Sequence, residues 1–400
     1  MAETSHIPGQ SFDVVVVGAG LAGLAAALGF LRAGLRAVCV GRLERSGSGR
    51  TVALHGQSLD ILENLGVLAE VETNAAPMRV MRLVDDTGSL FAPRPVEFRA
   101  SEIGRDLFGW NIENGALASI LAGSLGPEPC FEADVAGFEF APRAARLSLS
   151  DGRALEAQLV VGADGRGSPS RKAANIDATV STFGQTALTL FLRHSRPHDD
   201  ASTEFHTREG PFTLVPLPPT PDAPNRSSLV WLMRDESAKR LRALSDRELA
   251  EEIRRRSHAM LGEVEIEGGR GGFPMTIQRV AGLTARRLAL IGDAAHAFPP
   301  IGAQGLNLGL RDGAEIVAQA ARARDEGRDI GGEATLKAYA AARRPDIAMR
   351  TAGVGALNRS LLTSFWPVDF ARGAGLAALA TVPPLRRAAI REGLKPFLAR

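Results

Sequence analysis

The residues with the clearest chemical potential in this sequence are glycines. Gly18-Ala19-Gly20-Leu21-Ala22-Gly23 spaces three of them as G-x-G-x-x-G, between a run of four valines and an alanine/leucine-rich stretch. In such a turn the first glycine allows a tight bend, the second lets a pyrophosphate approach the backbone, and the third lets helix and strand pack closely. A helix that starts there offers unpaired N–H groups and a partial positive charge to phosphate. Gly18, Gly20, Leu21, Ala22 and Gly23 are therefore candidate contacts for a dinucleotide. The next strand normally ends in an acid that holds the ribose, but here it ends Val40-Gly41-Arg42. Taken alone, Arg42 in that position favours a 2′-phosphate. Glu44, two residues on, offers a ribose contact instead.

Two further loops place a carboxylate after an apolar strand. Asp164-Gly165 is followed by Ser168, a good N-cap, and Pro169, suited to the first helical position. Gly292-Asp293 is followed by Pro299 and then by Gly302, Gln304, Gly305, Leu306 and Asn307 on the approach to a helix. A carboxylate in such a loop can bind a polyol chain, and the helix N-terminus can stabilise negative charge on a neighbouring ring. Nucleophilic and metal chemistry are not indicated, since neither G-x-S-x-G nor H-E-x-x-H occurs. Two cysteines, Cys39 and Cys130, make a disulfide framework or thiolate metal site an unsuitable reading, and no metal is expected. His296 invites an acid/base role, but a packed histidine with local hydrogen bonds is the simpler assignment. His55, His206, Phe212, Trp231 and Pro299 are candidates for a pocket around a flat substrate. The two aromatics fit a strand-face core equally well.

These residues need a scaffold. The pattern predicts a βαβ unit with a strand over 13–17, a helix over 21–33 closed by Gly34, and a strand over 36–40. Leu59, Leu62 and Leu65 are spaced for a helix that Gly66 ends. A strand-like stretch covers 78–98, a helix 113–125, and strands lie within 138–161 around the turn Ser150-Asp151-Gly152. Further strands are predicted at 187–192, 212–216 and 228–233. Ser245 with Glu248 forms a capping box that opens a helix to about residue 260. The run Arg254-Arg255-Arg256 reads as its solvated face. A strand over 288–291, a helix over 306–323 and a mostly helical stretch over 336–400 complete the chain.

The composition supports a large ordinary core. Hydrophobic residues make up 45% and charged residues 23% of 400. A net charge of +2 gives no footprint for nucleic acid. Only four of the 47 basic residues are lysine, which GC-rich codon usage would explain. The first dozen residues lack a secretory signal. The uncharged run 14–31 is broken by Gly18 and Gly20, so it reads as strand, turn and helix rather than a membrane span. A cytoplasmic location is the resulting expectation.

The three motifs, in this order, resemble the single-component FAD-dependent aromatic hydroxylases with the p-hydroxybenzoate hydroxylase fold. The carrying residues are Gly18/Gly20/Gly23, Asp164-Gly165 with Ser168 and Arg171, and Gly292-Asp293 with Pro299. Within that group the chain resembles the ubiquinone-biosynthesis hydroxylases. The relevant segments are Arg50-Thr51-Val52-Ala53-Leu54, Trp110-Asn111-Ile112-Glu113-Asn114, Glu204-Phe205 with Gly210-Pro211-Phe212, and Gly292 to His296. Gly41 in place of the acid, and Gly115 where arginine is common, depart from the pattern.

The resemblance implies an α/β fold with an α+β insert: a Rossmann-like FAD-binding domain, a mixed-sheet substrate domain and C-terminal helices. The implied FAD-binding parts are 1–77, 101–177 and 280–355. Residues 78–100 and 178–279 form the substrate sheet, and 356–400 the C-terminal helical segment. It also implies that Asp293 binds the ribitol chain, that 302–307 line the isoalloxazine ring, and that Arg50 and Asn114 lie near FAD. The implied reaction uses NAD(P)H as a transient reductant and O2, and hydroxylates a hydrophobic aromatic substrate, a polyprenylated phenol, through a flavin C4a-hydroperoxide. An FAD-dependent prenyl-lipid reductase and a non-catalytic flavin-binding scaffold of a quinone-biosynthesis assembly are the alternatives. A flavin halogenase is disfavoured because the W-x-W-x-I-P segment is absent. The tail over 373–398, with Arg386, Arg387, Arg391 and Lys395, suits domain packing or a peripheral site on the inner membrane face.

Overall fold

The structure is a computed structural model describing residues 10–43, 49–88, 94–126, 130–297, 304–362, 375, 378–379 and 381–394. Glu44, Pro299 and Gly302 lie outside the described residues.

The valine run becomes β1 (Gln10–Val17), in which Val14, Val15 and Val16 have no exposed surface. The run does not alternate because both faces of the strand are covered, as in parallel sheets flanked by helices. The chain then turns into α1 (Leu21–Arg32), ends it at Gly34 with φ +77°, and returns as β2 (Ala37–Val40) parallel to β1. α1 is buried along nearly its whole length, which explains its lack of a polar face. Next come β3 (Thr51–His55), α2 (Gln57–Asn64), α3 (Leu68–Thr73), β4 (Ala76–Met78), β5 (Val80–Asp85) and β6 (Val96–Arg99). They are followed by β7 (Gly109–Glu113), α4 (Asn114–Leu125), β8 (Cys130–Phe131), β9 (Val135–Phe140), β10 (Ala145–Leu149) and β11 (Ala154–Gly162).

The middle of the chain holds α5 (Pro169–Ala173), β12 (Ala178–His194), β13 (Ala201–Thr207), β14 (Gly210–Leu217), β15 (Arg226–Arg234), α6 (Asp235–Arg242) and α7 (Asp246–Arg256). The chain continues with β16 (Val264–Val280), β17 (Thr284–Ala285), β18 (Leu288–Leu290), β19 (His296–Ala297), α8 (Gln304–Asp325), α9 (Glu333–Leu362) and α10 (Pro383–Leu394).

The first sheet runs β17-β18-β11-β1-β2-β8, with the antiparallel pair β9–β10 attached to β11. Its centre is parallel, and Val17, Gly162 and Leu290 lie side by side across it. The loops after these three residues carry all three motifs. They leave the carboxyl ends of neighbouring parallel strands, where open α/β sheets bind ligands. The second sheet runs β19-β16-β12-β15-β14-β13-β5-β6, and the third runs β3-β7-β4.

Alternation on the second sheet separates two cores. Leu188, Leu190, Leu192, Phe205, Phe212, Leu229 and Trp231 pack with Leu241 of α6 and Leu249 and Ile253 of α7. Ala187, Leu232, Met275 and Ile277 pack on the other face with Leu308 of α8.

Two features differ from the sequence expectation. α7 stops at Arg256 rather than near 260, because His258 and Ala259 take left-handed φ of 51° and 52°. β16 is a 17-residue strand that the pattern does not suggest. Gly268, Gly269, Gly271 and Gly272 interrupt its alternation, and its pairing with β12 shifts register there. Among the described residues, no helix is long and apolar enough to cross a membrane.

Candidate active site

The first loop is closed by backbone contacts that exclude side chains. Gly18 has φ +112°, and a Cβ on it would lie 2.3 Å from the Ala163 carbonyl oxygen. A Cβ on Gly23 would lie 1.9 Å from the Gly18 carbonyl oxygen. Gly20 differs: a Cβ there meets nothing within 4 Å, so its backbone faces open space at the N-terminus of α1. Gly41 is now explained too. Its φ is +154°, and a Cβ would lie 2.6 Å from the Ala19 nitrogen, so the usual acid does not fit there without moving the glycine turn. Arg42 instead forms an exposed ion pair with Asp134 at 2.5 Å.

The structure brings the three motifs together by three separate contacts. Ala163 donates its N–H to the Val17 carbonyl at 2.7 Å, joining the first and second loops. Arg171, buried, donates to the Ala294 and Arg166 carbonyls at 2.9 and 2.8 Å, and Arg166 pairs with Asp293 at 3.1 Å, joining the second and third. The first and third meet at Gly309, whose added Cβ would lie 3.2 Å from Gly292 Cα and 3.3 Å from Ala22 Cβ. A side chain at 309 would thus need the α1–α8 crossing to give by a few tenths of an ångström.

The two aspartates are placed differently. Both Asp164 oxygens are engaged by the turn they begin: Ser168 Oγ donates at 2.5 Å, and Ser170 donates its N–H and its hydroxyl, each at 2.8 Å. Ser168 also accepts the Arg171 N–H as the N-cap of α5. Asp164 therefore shapes the loop, with Gly165 beside it at φ +78°. Asp293 stays about half exposed.

Arg50 and Asn114 lie together, because the Asn114 N–H donates to the Arg50 carbonyl at 3.0 Å. Asn114 Oδ1 is buried without a hydrogen-bond partner. Gly305 and Leu306 sit in the first turn of α8, and a Cβ on Gly305 meets nothing within 4 Å. Gln304 begins that helix. Asn307 turns its side chain to β3, donating to the Ala53 carbonyl at 2.7 Å and accepting the His55 N–H at 3.3 Å. It fixes the start of α8 against β3.

Alternation splits the pocket candidates. Phe212 and Trp231, with ring centroids 5.0 Å apart, face α6 and α7, on the opposite side of the sheet from Leu308 of α8. They belong to the core and not to a pocket wall over α8. His206 lies on the other face with Glu204, which takes its Nε2 at 2.8 Å. Its Nδ1 is buried without a partner. A groove of about 320 Å³ lies between α7 and β16, lined by charged residues such as Asp246, Arg254 and Glu263, and among the described residues no motif residue lines it.

A buried charge network holds the third loop from behind, and the sequence reading did not identify it. Asp312, with no exposed surface, accepts the Gly292 N–H at 3.1 Å, His296 Nε2 at 2.6 Å and Arg343 Nε at 2.8 Å. Burial raises the Asp312 carboxyl, but His296 and Arg343 outweigh it and hold it below the usual carboxylate range. Arg343 continues to Asp346 at 2.8 Å, which also takes Arg350 at 2.9 Å. The sequence signal was the spacing of Arg343, Asp346 and Arg350 on one face of α9. His296 is thus a packed histidine within this network.

These residues fit FAD. Gly20 leaves backbone and a helix N-terminus open for a pyrophosphate, Asn114 presents an unmatched buried oxygen, and Gly305 leaves the start of α8 clear for a ring. The FAD binding domain family matches residues 11–352 of the chain. Ubiquinone hydroxylase UbiL of Rhodospirillum rubrum is 33% identical over 392 residues, covering 96% of this chain and 89% of that protein. The 3-demethoxyubiquinol 3-hydroxylase of Escherichia coli is 27% identical over 397 residues, with 96% and 99% covered. Among solved structures, p-nitrophenol 4-monooxygenase PnpA of Pseudomonas putida superposes with a TM-score of 0.76 at 20% identity, covering 96% and 98%. Pseudomonas aeruginosa PqsL bound to 2-aminobenzoylacetate gives 0.77 at 24%, covering 92% and 100%; at these identities both support the fold alone. The chain belongs to the FAD binding domain family and is an FAD-dependent monooxygenase of the aromatic-hydroxylase type.

Proposed function

We propose that this chain hydroxylates the ring of a polyprenylated phenol in ubiquinone biosynthesis, with NAD(P)H as reductant. The observation that carries the proposal is a pair of helix N-termini in one site, each guarded by a glycine whose backbone faces open space: Gly20 on α1 and Gly305 on α8. Bound FAD supplies electron storage and oxygen activation. The chain's own residues bind and orient. Gly20 and the α1 N-terminus take the pyrophosphate, Asp293 the ribitol hydroxyls, and Arg50 and Asn114 the flavin side. The α8 N-terminus, clamped to β3 by Asn307, stabilises negative charge on the ring edge.

The substrate enters between the α8 face of the second sheet and this helix start, with His55 and His206 as pocket residues. The domain division is 1–77, 101–177 and 280–355 for FAD, 78–100 and 178–279 for substrate, and 356–400 for the tail. The full-length relatives named for ubiquinone hydroxylation support the substrate class.

The test is turnover of the FAD-loaded protein with NAD(P)H, oxygen and a polyprenyl phenol. The expected result is ring hydroxylation stoichiometric with oxygen consumed. Oxygen-independent reduction of a prenyl double bond would favour the lipid reductase, and no redox activity the scaffold.

Peripheral membrane attachment is a second element of the proposal. α10 docks by Arg386, which binds Glu102 and the Glu97 carbonyl, and by Ile390 against Phe98 and Phe108. Leu385, Arg387 and Arg391 remain exposed on it, as does Val382 just before it. Liposome flotation should retain the full chain and lose a 1–370 truncation; equal binding, or none by either, removes the tail as an anchor.

A further inference from the structure

Among the described residues of the α8–α9 network, three guanidinium groups, Arg311, Arg343 and Arg350, face two carboxylates, Asp312 and Asp346. Arg343 sits between both carboxylates and is held above its usual value, whereas Arg311 reaches only Asp346, at 3.4 Å. Arg311 is 8% exposed, and its Nε and Nη2 are buried without any hydrogen-bond partner. A buried unpaired donor on a charged group is among the costliest features a fold can carry.

These donors belong to a group that lines a cavity of about 10 Å³, room for one atom the size of a water or slightly larger. Its other walls are His55, Gln57, Ser58, Asn307 and Arg350. α2 begins here with Gly56 as its N-cap and has no side-chain cap hydrogen bond. A positive guanidinium and the positive end of a helix dipole therefore converge on one small space, and among the described residues no acid lines it.

We infer that this cavity is a binding site for a small monovalent anion of halide size, held between Arg311 and the N-terminus of α2. The anion supplies an acceptor and a counter-charge for the unmatched Arg311 donors. Without it, burial first and then the neighbouring Arg350 pull the Arg311 guanidinium down to about 10. The occupant touches His55 and Asn307, the two residues that clamp α8 to β3, so it braces the flavin-facing helix start. The inference concerns charge balance and does not depend on which substrate is hydroxylated.

The test uses the FAD-loaded full chain. Thermal unfolding is followed in sodium chloride and in sodium gluconate at matched ionic strength, gluconate being too large for the cavity. A crystal soaked in sodium bromide is examined for anomalous scattering. The expected results are a saturable, chloride-specific Tm rise of roughly 2–4 °C, its loss in Arg311→Gln, and a bromide peak within hydrogen-bonding distance of Arg311. A Tm that rises equally in gluconate, a rise unchanged in Arg311→Gln, or only water density in the cavity overturns the inference. Should Arg311→Gln fail to fold, the wild-type salt comparison and the bromide map decide it alone.

Discussion

Two regions hold the Gly292–Asp293 loop, and they are built on opposite principles. In front, the 18–23 turn and the α1–α8 crossing work by leaving side chains out: Gly18, Gly23 and Gly309 sit where a single methyl would strike backbone or a neighbouring Cβ. Behind, Asp312, His296, Arg343 and Asp346 work by filling space with buried, paired charge. The 18–23 turn is continuous in sequence and admits a ligand, and Gly309 joins it from α8. The charge region is assembled from residues up to 58 positions apart, Gly292 and Arg350 marking its ends, and its role is to fix the loop. The difference separates a part specialised for binding from a part specialised for stability.

Substitutions at six positions test that division. The largest effect is expected at Asp312→Ala, which takes the acceptor from Arg343 Nε, His296 Nε2 and the Gly292 N–H and should cost about 3–5 kcal/mol, measured by urea unfolding. The Asp312 carboxyl is held below its unfolded value. Its stabilisation is therefore present above the unfolded pKa of about 3.9 and lost as pH falls through the lower folded value. A stability profile of Asp312→Asn should lack that acid-side loss; an identical profile would remove the charge region's special status.

Next is Gly23→Ala, which drives a methyl into the Gly18 carbonyl and should cost about 1–3 kcal/mol together with the bound flavin. Gly20→Ala and Gly305→Asp make the contrast sharper, because neither Cβ meets anything within 4 Å. The apo-protein Tm should stay near wild type while flavin retention, read from the visible absorbance after gel filtration, collapses. Normal loading in both would break the binding side of the comparison.

Third, Asn114→Ala removes a buried oxygen with no partner in the protein. It should leave apo-stability unchanged or slightly raised and weaken FAD by roughly 1 kcal/mol, about five-fold in Kd. A loss of fold stability without a change in Kd would move Asn114 to the structural side. The smallest effect belongs to Arg42→Ala. Its pair with Asp134 is exposed on both sides, and stability should change by less than about 1 kcal/mol.

Much of this was legible in the sequence because it is local. The βαβ unit, the capping box at Ser245 and Glu248, the N-cap at Ser168 and the glycine stops all depend on residues within a few positions. β16 was not legible because its glycines erase alternation, and only pairing with β12 makes it a strand. The Phe212 and Trp231 assignment depended on which face of the second sheet meets α8, a fact that strand parity alone does not contain.

What the sequence determined by itself is a dinucleotide site and the order of its three loops, since each motif encodes its own backbone geometry, and the resemblance carried by those motifs pointed to FAD. Tertiary structure decided three further things. Asp164 shapes its turn, because Ser168 and Ser170 reach its oxygens. Gly41 replaces an acid, because Ala19 lies behind it. The α8–α9 charges form one buried network with Arg311 left over, because burial makes distant charges strong partners and makes an unmatched donor costly.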